Sequence, residues 1–528
     1  MVAQIGIKFR SVEEYAKLRA SLLKNVNFYS CIPFSSLNNS LYSSVLFKDE
    51  FLPEKLAVLM DISEINDDNV EIIQYLSLKI ILFTAEPSNN FETAIKILEF
   101  TSKVPNLLFI YLCEEPQHFI DLHILCNYSP KLSCAINFPL EVSKYNIIKT
   151  LNISNVFLQE SHFNQNNIQE KYVSILEELT EREIPAFIST DLSNFETKIA
   201  NLYSKFDKIS QKTYKYTLSN PLQPLANQLT SSTYQVFESD HTKYDSYQMA
   251  IEKAIKTKGE KAIAAVVGAG RGPLVDRALK AGATNIYVIE KNHAASVLLR
   301  QRLKKDWPST VSVFEGDMRE IELPEKVDIL VSELLGGIGD NELSPECLFG
   351  CNQFLNEGAI SIPTNYTSFL CPISSHHLWS MANSGDLDTM YVVTMNSAIL
   401  ASEEKELFSF THPSKDCSNF YTEKVLNFQV NDDLTIHGFA GWFTCQLYQD
   451  VNISNSPYNP KKEVESWFQI FIPIKKPIFV KKGDSIKLWF SRRTDESRVW
   501  YEWSVLEPEL MPIQNSLGRS YSIGLSAH

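Results

Sequence analysis

Two glutamates nine residues apart, Glu333 and Glu342 in SELLGGIGDNELSPE, are the residues of this sequence best suited to chemistry. Two carboxylates brought face to face can hold a planar cation through bidentate hydrogen bonds to its fork of N–H donors, and the natural guest is a guanidinium. Gly336, Gly337 and Gly339 between them allow the chain to fold back as a hairpin, which would bring the pair together. In an arbitrary loop the same glutamates would be solvated surface charges. What lifts them above that is the sequence before them.

Upstream, VVGAGRGP at 266–273 reads as a buried strand that ends on Gly268, Gly270 and Gly272, where the chain can turn sharply and approach a ligand closely. Glu290 ends the next strand, 20 residues after Gly270, where an acidic side chain accepts both hydroxyls of a ribose. Asp317 and Met318 follow a third strand. A carboxylate there can accept an adenine amino group and a methionine can pack on the ring, although an Asp in that place is as readily a turn residue. Glycines plus Glu290 fit NAD and S-adenosylmethionine alike. A hydride-transfer enzyme has no use for a carboxylate clamp, so the clamp favours the sulfonium donor. The closest cysteine pair, Cys347 and Cys351, has no metal-ligand pattern, and no metal is expected.

These residues need a scaffold. From about 236 to 363, a helical stretch (YDSYQMAIEKAIKTK) precedes four short apolar runs, KAIAAVV, NIYVIE, TVSVFE and VDILVSELL, separated by helix-like spacers. That alternation predicts a doubly wound, Rossmann-type sheet. Residues 1–205 alternate in the same way: six runs, at 56–60, 79–83, 106–112, 132–138, 155–159 and 185–190, predict a (β/α) TIM-like barrel, trimmed if eight units do not fit. His118, His123 and His162 in that region stand alone and read as surface or core residues. Residues 206–235 read as a connector running into a short helix. From 364 to 528 the runs alternate apolar with polar and are rich in aromatics, which predicts antiparallel β, a sandwich or β-barrel, with 374–402 as a partly helical insertion.

The 528 residues suggest about three domains. With 44% hydrophobic and 21% charged residues, disorder is excluded as the dominant state. A net charge of −14 disfavours direct nucleic-acid binding and suits a basic partner such as an Arg-rich peptide. Nine scattered cysteines point to a reduced compartment, cytoplasmic or nuclear. The N-terminus lacks a signal-peptide apolar stretch, and no run is long enough to span a membrane.

Taken together, LQPLANQLTSSTYQVFESDHTKYDSYQMAI, VVGAGRGPLV, SELLGGIGDNELSPECL, IPTNYTSFLCPISS, IHGFAGWF, VWYEWSV and GRSYSIGL resemble, in order, the protein arginine N-methyltransferase 5 family, the type II (symmetric) branch, from about 220 to 524. The N-terminal third resembles it only in strand–helix alternation. The resemblance implies methyl transfer from S-adenosyl-L-methionine to arginine ω-nitrogens, giving monomethyl and symmetric dimethyl arginine and S-adenosyl-L-homocysteine. It implies cofactor contacts from Tyr234, Lys243 and Tyr244 beside the glycine loop, Glu290, Asp317 and Met318. Glu333 and Glu342 match the family's paired glutamates. Phe237 matches the phenylalanine associated with symmetric product, and Trp500 and Leu222 match residues lining the arginine pocket. The loop departs from the family in its run Gly337–Ile338–Gly339. The resemblance further implies Arg/Gly-rich protein substrates such as histone tails and RNA-binding proteins, and a homodimer with 374–402 as a candidate arm. A WD-repeat partner accompanies some members. A different Rossmann enzyme and a catalytically silent scaffold are the competing readings. The glutamate pair argues against the first, and intact Glu290, Glu333 and Glu342 argue against the second.

Overall fold

The computed structural model of the chain describes residues 5–10, 14, 29–33, 56–75, 78–138, 145–181, 184, 186–206, 218–417, 420–458, 464 and 466–526. The expected connector falls partly on 207–217, outside the described residues. Two units are distinguished: residues 1–217 with 375–385 and 396–399, and the remainder from 218 to 528.

The first unit is a closed barrel of eight parallel strands: β1 Ile5–Lys8, β2 Tyr29–Pro33, β3 Leu56–Asp61, β4 Ile80–Thr84, β5 Leu108–Cys113, β6 Leu132–Asn137, β7 Ile153–Leu158 and β8 Ala186–Ser189. Each strand pairs with its chain neighbour and β1 closes the circuit on β8. The barrel is therefore complete. The six apolar runs are β3–β8. Inward residues such as Ala57, Leu82, Ile110, Ala135 and Phe187 form one core, and outward residues such as Val58, Ile81, Phe109, Cys134 and Val156 form another under the helices. Burial on both faces is why these strands read as continuous apolar runs rather than as alternation. The helix Asn90–Lys103 buries Ala94, Ile97 and Phe100 at the 3–4 spacing of a helix packed by one face. The helix His376–Ser384, from the expected insertion, belongs to this unit: Trp379 packs edge-on against Tyr128, with ring centroids 4.5 Å apart, and the Ser380 hydroxyl donates to the Tyr128 carbonyl at 2.7 Å.

The second unit opens with a five-stranded parallel sheet: β9 Ile263–Val267, β10 Asn285–Glu290, β11 Val311–Glu315, β12 Val327–Ser332 and β13 Leu355–Ile362, in the order β11-β10-β9-β12-β13. Four of these are the expected strands, and β13 is an addition. Its LNEGAISI carries polar Asn356 and Glu357 followed by Gly358 and slips register against β12, as an edge strand can. The order reverses between β9 and β12. In such a sheet the crevice beyond the carboxyl ends of those two strands is where ligands bind.

The C-terminal strands are antiparallel, as their alternation predicts. They include β14 Asn365–Ser374, β15 Tyr391–Val393, β16 Lys405–Thr411, β17 Thr422–Gln429, β18 Leu434–Tyr448, β19 Gln469–Val480, β20 Ser485–Thr494 and β21 Arg498–Glu507. Their hydrogen bonds form two sheets, one of seven strands and one of four, instead of a single closed barrel. Long strands such as β18 bend and shift register, between Ile436 and Gly438, and so contribute to a core two sheets deep.

Candidate active site

Four elements converge at the crevice of the Rossmann sheet. Helix α1, Ser231–Glu238, carries Tyr234 and Phe237 three residues apart, on one face. Helix α2, His241–Lys258, is capped by Asp240, whose Oδ1 accepts from the Lys243 amide at 3.1 Å, and it buries Lys243, Tyr244 and Tyr247 in its first two turns. The third element is the turn after β9, and the fourth is the loop after β12.

The turn after β9 is built around Glu290. Its Oε2 accepts from the Gly270 amide and its Oε1 from the Asn292 amide, both at 2.6 Å, so one carboxylate ties the ends of two strands together. Burial raises its pKa above the ordinary carboxylate value, and the two amide donors pull against that. Gly270 has φ +55°, and a Cβ there would meet the Tyr234 ring at 3.0 Å, so the tyrosine lies directly on the turn. The Tyr234 hydroxyl accepts from the Asn292 side-chain amide at 3.2 Å.

A cleft lies over this turn, lined among others by Tyr234, Tyr244, Gly268, Gly270, Glu290 and Met318, the mixture of aromatic faces and a carboxylate that a nucleoside-bearing ligand needs. Asp317 also lines it. Both Asp317 oxygens are engaged by the Arg319 guanidinium, at 2.9 and 2.7 Å, with Lys291 at 3.3 Å, and these cations hold its pKa down at about 2 against the effect of burial. Asp317 is thus a committed ion-pair partner at the cavity wall. Gly272 is not on the lining. With φ +93° it begins the helix Pro273–Lys280, and a Cβ would meet Trp307 at 2.8 Å, so its need for glycine is a packing need.

A second cavity, of about 1110 Å³, is lined among others by Leu222, Phe237, Leu335, Trp467, Glu333 and Glu342. Glu333, Glu342 and Phe237 line both spaces and form the wall they share. The loop carrying the glutamates is the expected hairpin. Gly336 and Gly339 exchange backbone hydrogen bonds at 3.0 and 2.9 Å, and Asn341 Oδ1 accepts from the Ile338 amide at 3.0 Å. Gly339 has φ +87° and sits on the Tyr366 ring, where a Cβ would come within 2.8 Å.

Lys243, expected at the cofactor, stands beside Glu333 and Tyr244, two residues that line the cleft. Its ammonium is fully buried, 3.2 Å from Glu333 Oε2, and lies 5.3 Å from the Phe237 ring, 5.0 Å from Tyr244 and 4.8 Å from Trp467. Three ring faces and a carboxylate around a nitrogen cation make a cation cage. Glu342, which lines both cavities, stands within the electrostatic reach of Lys243. Burial and the neighbouring Glu333 push its pKa well above the ordinary carboxylate value, while Lys243 opposes them.

Trp500 is a correction. It lies in β21 with its indole Nε1 donating to Glu502 at 3.0 Å and its ring packed under Gly518, and it lines neither cavity. The tryptophan at the pocket is Trp467, just before β19, packed edge-on against Phe443. Asn292 is a further residue that pattern reading omits. The signal available for it is an Asn after a strand-end Glu, where a helix N-cap is expected; its Oδ1 accepts from the Ala294 amide at 3.0 Å.

Comparison with known proteins gives concordant matches. The family model described as "PRMT5 arginine-N-methyltransferase" matches residues 205–362, and that described as "PRMT5 oligomerisation domain" matches residues 365–523. Protein arginine N-methyltransferase 5 of Xenopus laevis is 36% identical over 445 residues, covering 76% of this chain and 70% of that protein. The protein of the same name from Oryza sativa subsp. indica is 40% identical over 361 residues, covering 63% of this chain and 56% of that one. Protein arginine N-methyltransferase skb1 of Schizosaccharomyces pombe is 43% identical over 317 residues, covering 55% and 51%. The match thus spans little more than half the length of the rice and yeast relatives. Among solved structures, the Trypanosoma brucei PRMT1 enzyme-prozyme heterotetrameric complex with AdoHcy aligns with TM-score 0.48 at 17% identity, over 56% of this chain and 98% of that one.

Proposed function

The chain belongs to the PRMT5 arginine N-methyltransferase family, and from that premise we propose that it methylates protein arginines with S-adenosyl-L-methionine as donor. The products are monomethyl and symmetric dimethyl arginine, the type II outcome of this family. The observation that carries the reading is the shared wall: Glu333 and Glu342 line both the cleft over the glycine turn and the second cavity. Methyl transfer needs a place where donor and acceptor meet in line, and a wall common to two cavities is such a place.

The cleft suits the donor. Tyr234 on the glycine turn, Tyr244, Glu290 and Met318 supply aromatic and apolar faces and a carboxylate for an adenosine. When bound, S-adenosylmethionine supplies a methyl group on a positively charged sulfur. Lys243, 3.2 Å from Glu333 on the wall of the cleft, is the residue of this chain placed to answer a donor carboxylate. Its departure from the cage would leave Phe237, Tyr244 and Trp467 to face the incoming guanidinium.

Glu333 and Glu342 grip the guanidinium and draw its positive charge to the nitrogens they touch, leaving the attacking nitrogen with more lone-pair character. An arginine with a pKa above about 12 does not lose its proton beforehand, so the proton leaves as the methyl arrives. Glu342, whose pKa is raised, is the better acceptor of the pair. Leu222 and Phe237 line the second cavity beside Trp467 and bound the space left for the methylated nitrogen.

The same reading extends to Arg/Gly-rich basic substrates, to a homo-oligomer formed through the region matching the oligomerisation domain, and to action in cytoplasm or nucleus. A WD-repeat partner is its finest extension. The test is transfer of a labelled methyl group to an Arg-Gly-rich peptide, with the dimethylarginine isomers separated by mass spectrometry. Absence of transfer, or asymmetric product alone, would overturn it.

A further inference from the structure

One buried ion cluster of the second unit takes no part in the site described so far. Arg492, on β20, is fully buried, and its Nε lies 2.7 Å from Asp340 Oδ2. Its Nη2 donates to Glu346 Oε2 at 3.0 Å, its Nη1 lies 2.9 Å from Glu346 Oε1, and the same Nη1 donates to the Phe420 carbonyl at 2.7 Å. The Tyr501 hydroxyl, from β21, donates to Asp340 Oδ2 at 2.7 Å. Asp340 is itself fully buried and stands two residues before Glu342.

Asp340, Asn341 and Glu342 form a single 3-10 turn, entered through Gly339 at φ +87° and left through Leu343 at φ +66°. A turn with left-handed residues at both ends holds its shape only if its surroundings hold it. The surroundings here are the two antiparallel sheets and the loops between their strands. The Asn455 side chain donates to the Gly337 carbonyl at 2.8 Å, the Ser368 hydroxyl donates to the Ile338 carbonyl at 2.6 Å, and Arg492 with Tyr501 clamps the side chain of Asp340. These anchors from the antiparallel sheets fall on the limb that ends in Glu342. Glu333, by contrast, directly follows β12 and is held from helix α2 by Lys243 at 3.2 Å.

We infer that Arg492 and Tyr501 are positioning residues for Glu342: through Asp340 they fix the carboxylate that receives the arginine guanidinium. This rests on the proposed role of Glu342. The charge balance is consistent with a clamp: one guanidinium faces two carboxylates, and losing it leaves Asp340 free to turn toward water. The glycine turn and Glu290 lie on other strands, so donor binding should not depend on the cluster.

The test compares wild type with Arg492→Met, Arg492→Lys, Asp340→Asn and Tyr501→Phe. It measures kcat on an Arg-Gly-rich peptide per folded molecule, the Kd of S-adenosylhomocysteine by calorimetry, and the position of Glu342 in a crystal structure of the Tyr501→Phe protein. A misplacement of about 1 Å can cost roughly 100-fold in rate. The expected result is a kcat lowered about 100-fold in Arg492→Met, an intermediate loss in Arg492→Lys, which keeps the charge but not the fork, and a several-fold loss in Asp340→Asn and Tyr501→Phe. The Kd should stay within about twofold. Tyr501→Phe removes one hydroxyl and keeps the ring, so it reports even if the arginine variants fail to fold. Overturning results are unchanged kcat, equal losses of kcat and of S-adenosylhomocysteine affinity (which would mean general damage), or an unmoved Glu342. An inactive wild type would sink the methyltransferase reading alone, because the displacement of Glu342 is read without turnover.

Discussion

At the scale of single residues, the two glutamates differ in what their surroundings do to them. Glu333 has a buried ammonium as partner, whereas Glu342 is kept nearer its neutral form by burial and by Glu333. Glu333→Gln and Glu342→Gln should each lower kcat by about 10²–10³-fold or more while S-adenosylhomocysteine affinity stays near normal, because an amide keeps the shape but cannot pair with a cation. Stability should move the other way for Glu342. A carboxyl group whose folded pKa is raised contributes stability below its ordinary value and loses it as pH rises through the folded value. Glu342→Gln, which resembles the neutral acid, should therefore melt no lower than wild type at pH 8, and a lower Tm there would contradict the raised pKa. Lys243 lowers the pKa of Glu342, so Lys243→Met at saturating donor should move the acid limb of the rate profile to higher pH; an unmoved limb would separate the two groups. The tryptophans supply a contrast: Trp467→Ala should raise KM for the peptide about tenfold or more, whereas Trp500→Ala should change Tm and leave the KM of the folded enzyme alone. The glutamate pair, the glycines and Glu290 were legible in the sequence because their chemistry is carried by short local runs. Trp467 was not, because two tryptophans beside two strands look alike until strand pairing decides which one reaches the cavity.

At the scale of elements, legibility followed burial. Strands β3–β8 and β9–β12 are predominantly apolar because both faces are covered, those of β3–β8 by the barrel interior and the outer helices, so each announces itself as a run. β1 and β2 did not, being short stretches, IGIK and YSCIP, with a Gly in one and a Cys and a Pro in the other. β13 was hidden by Asn356, Glu357 and Gly358 at a sheet edge. The strand–turn–helix after β9 was legible in the sequence except that Gly272 serves packing and does not line the cleft, and the weak point of the turn is Gly270. An alanine there must accept φ +55° and also displace the Tyr234 ring, which lies 3.0 Å from the added carbon. Strain of that kind costs about 1–3 kcal/mol, and it falls on a turn that must fit a ligand. Gly270→Ala should therefore weaken S-adenosylhomocysteine at least tenfold with a Tm drop of only a few degrees. Calorimetry beside thermal melting checks it, and unchanged affinity would mean that the ligand does not lie along this turn.

At the scale of the whole molecule, charge is the property the sequence states most plainly and the fold only distributes. The net charge of −14 is spread over many surface carboxylates that pair locally, such as Glu315 with Arg300 and Asp306 with Arg302. Pairs of that sort are exposed and contribute little to stability. Their excess over the cations still leaves a negative net charge, which on the proposed reading would draw a basic tail toward the protein before the glutamates grip its arginine. The donor has no comparable need, since the zwitterionic tail and single sulfonium of S-adenosylmethionine give the field little to act on. The two substrates should therefore respond differently to salt. The screening length falls from about 30 Å at 0.01 M to about 8 Å at 0.15 M ionic strength, so steering of a polycationic peptide is lost across that range. KM for an Arg-Gly-rich peptide of several positive charges should rise several-fold between those conditions. KM for the donor should hold within about twofold, and kcat, set inside the enclosed site, should hardly change. Peptides of one, three and five arginines measured in parallel should show a salt dependence that steepens with charge. A slope independent of peptide charge would mean that the negative surface takes no part in recognition, and that the glutamate pair alone accounts for the preference for a basic substrate.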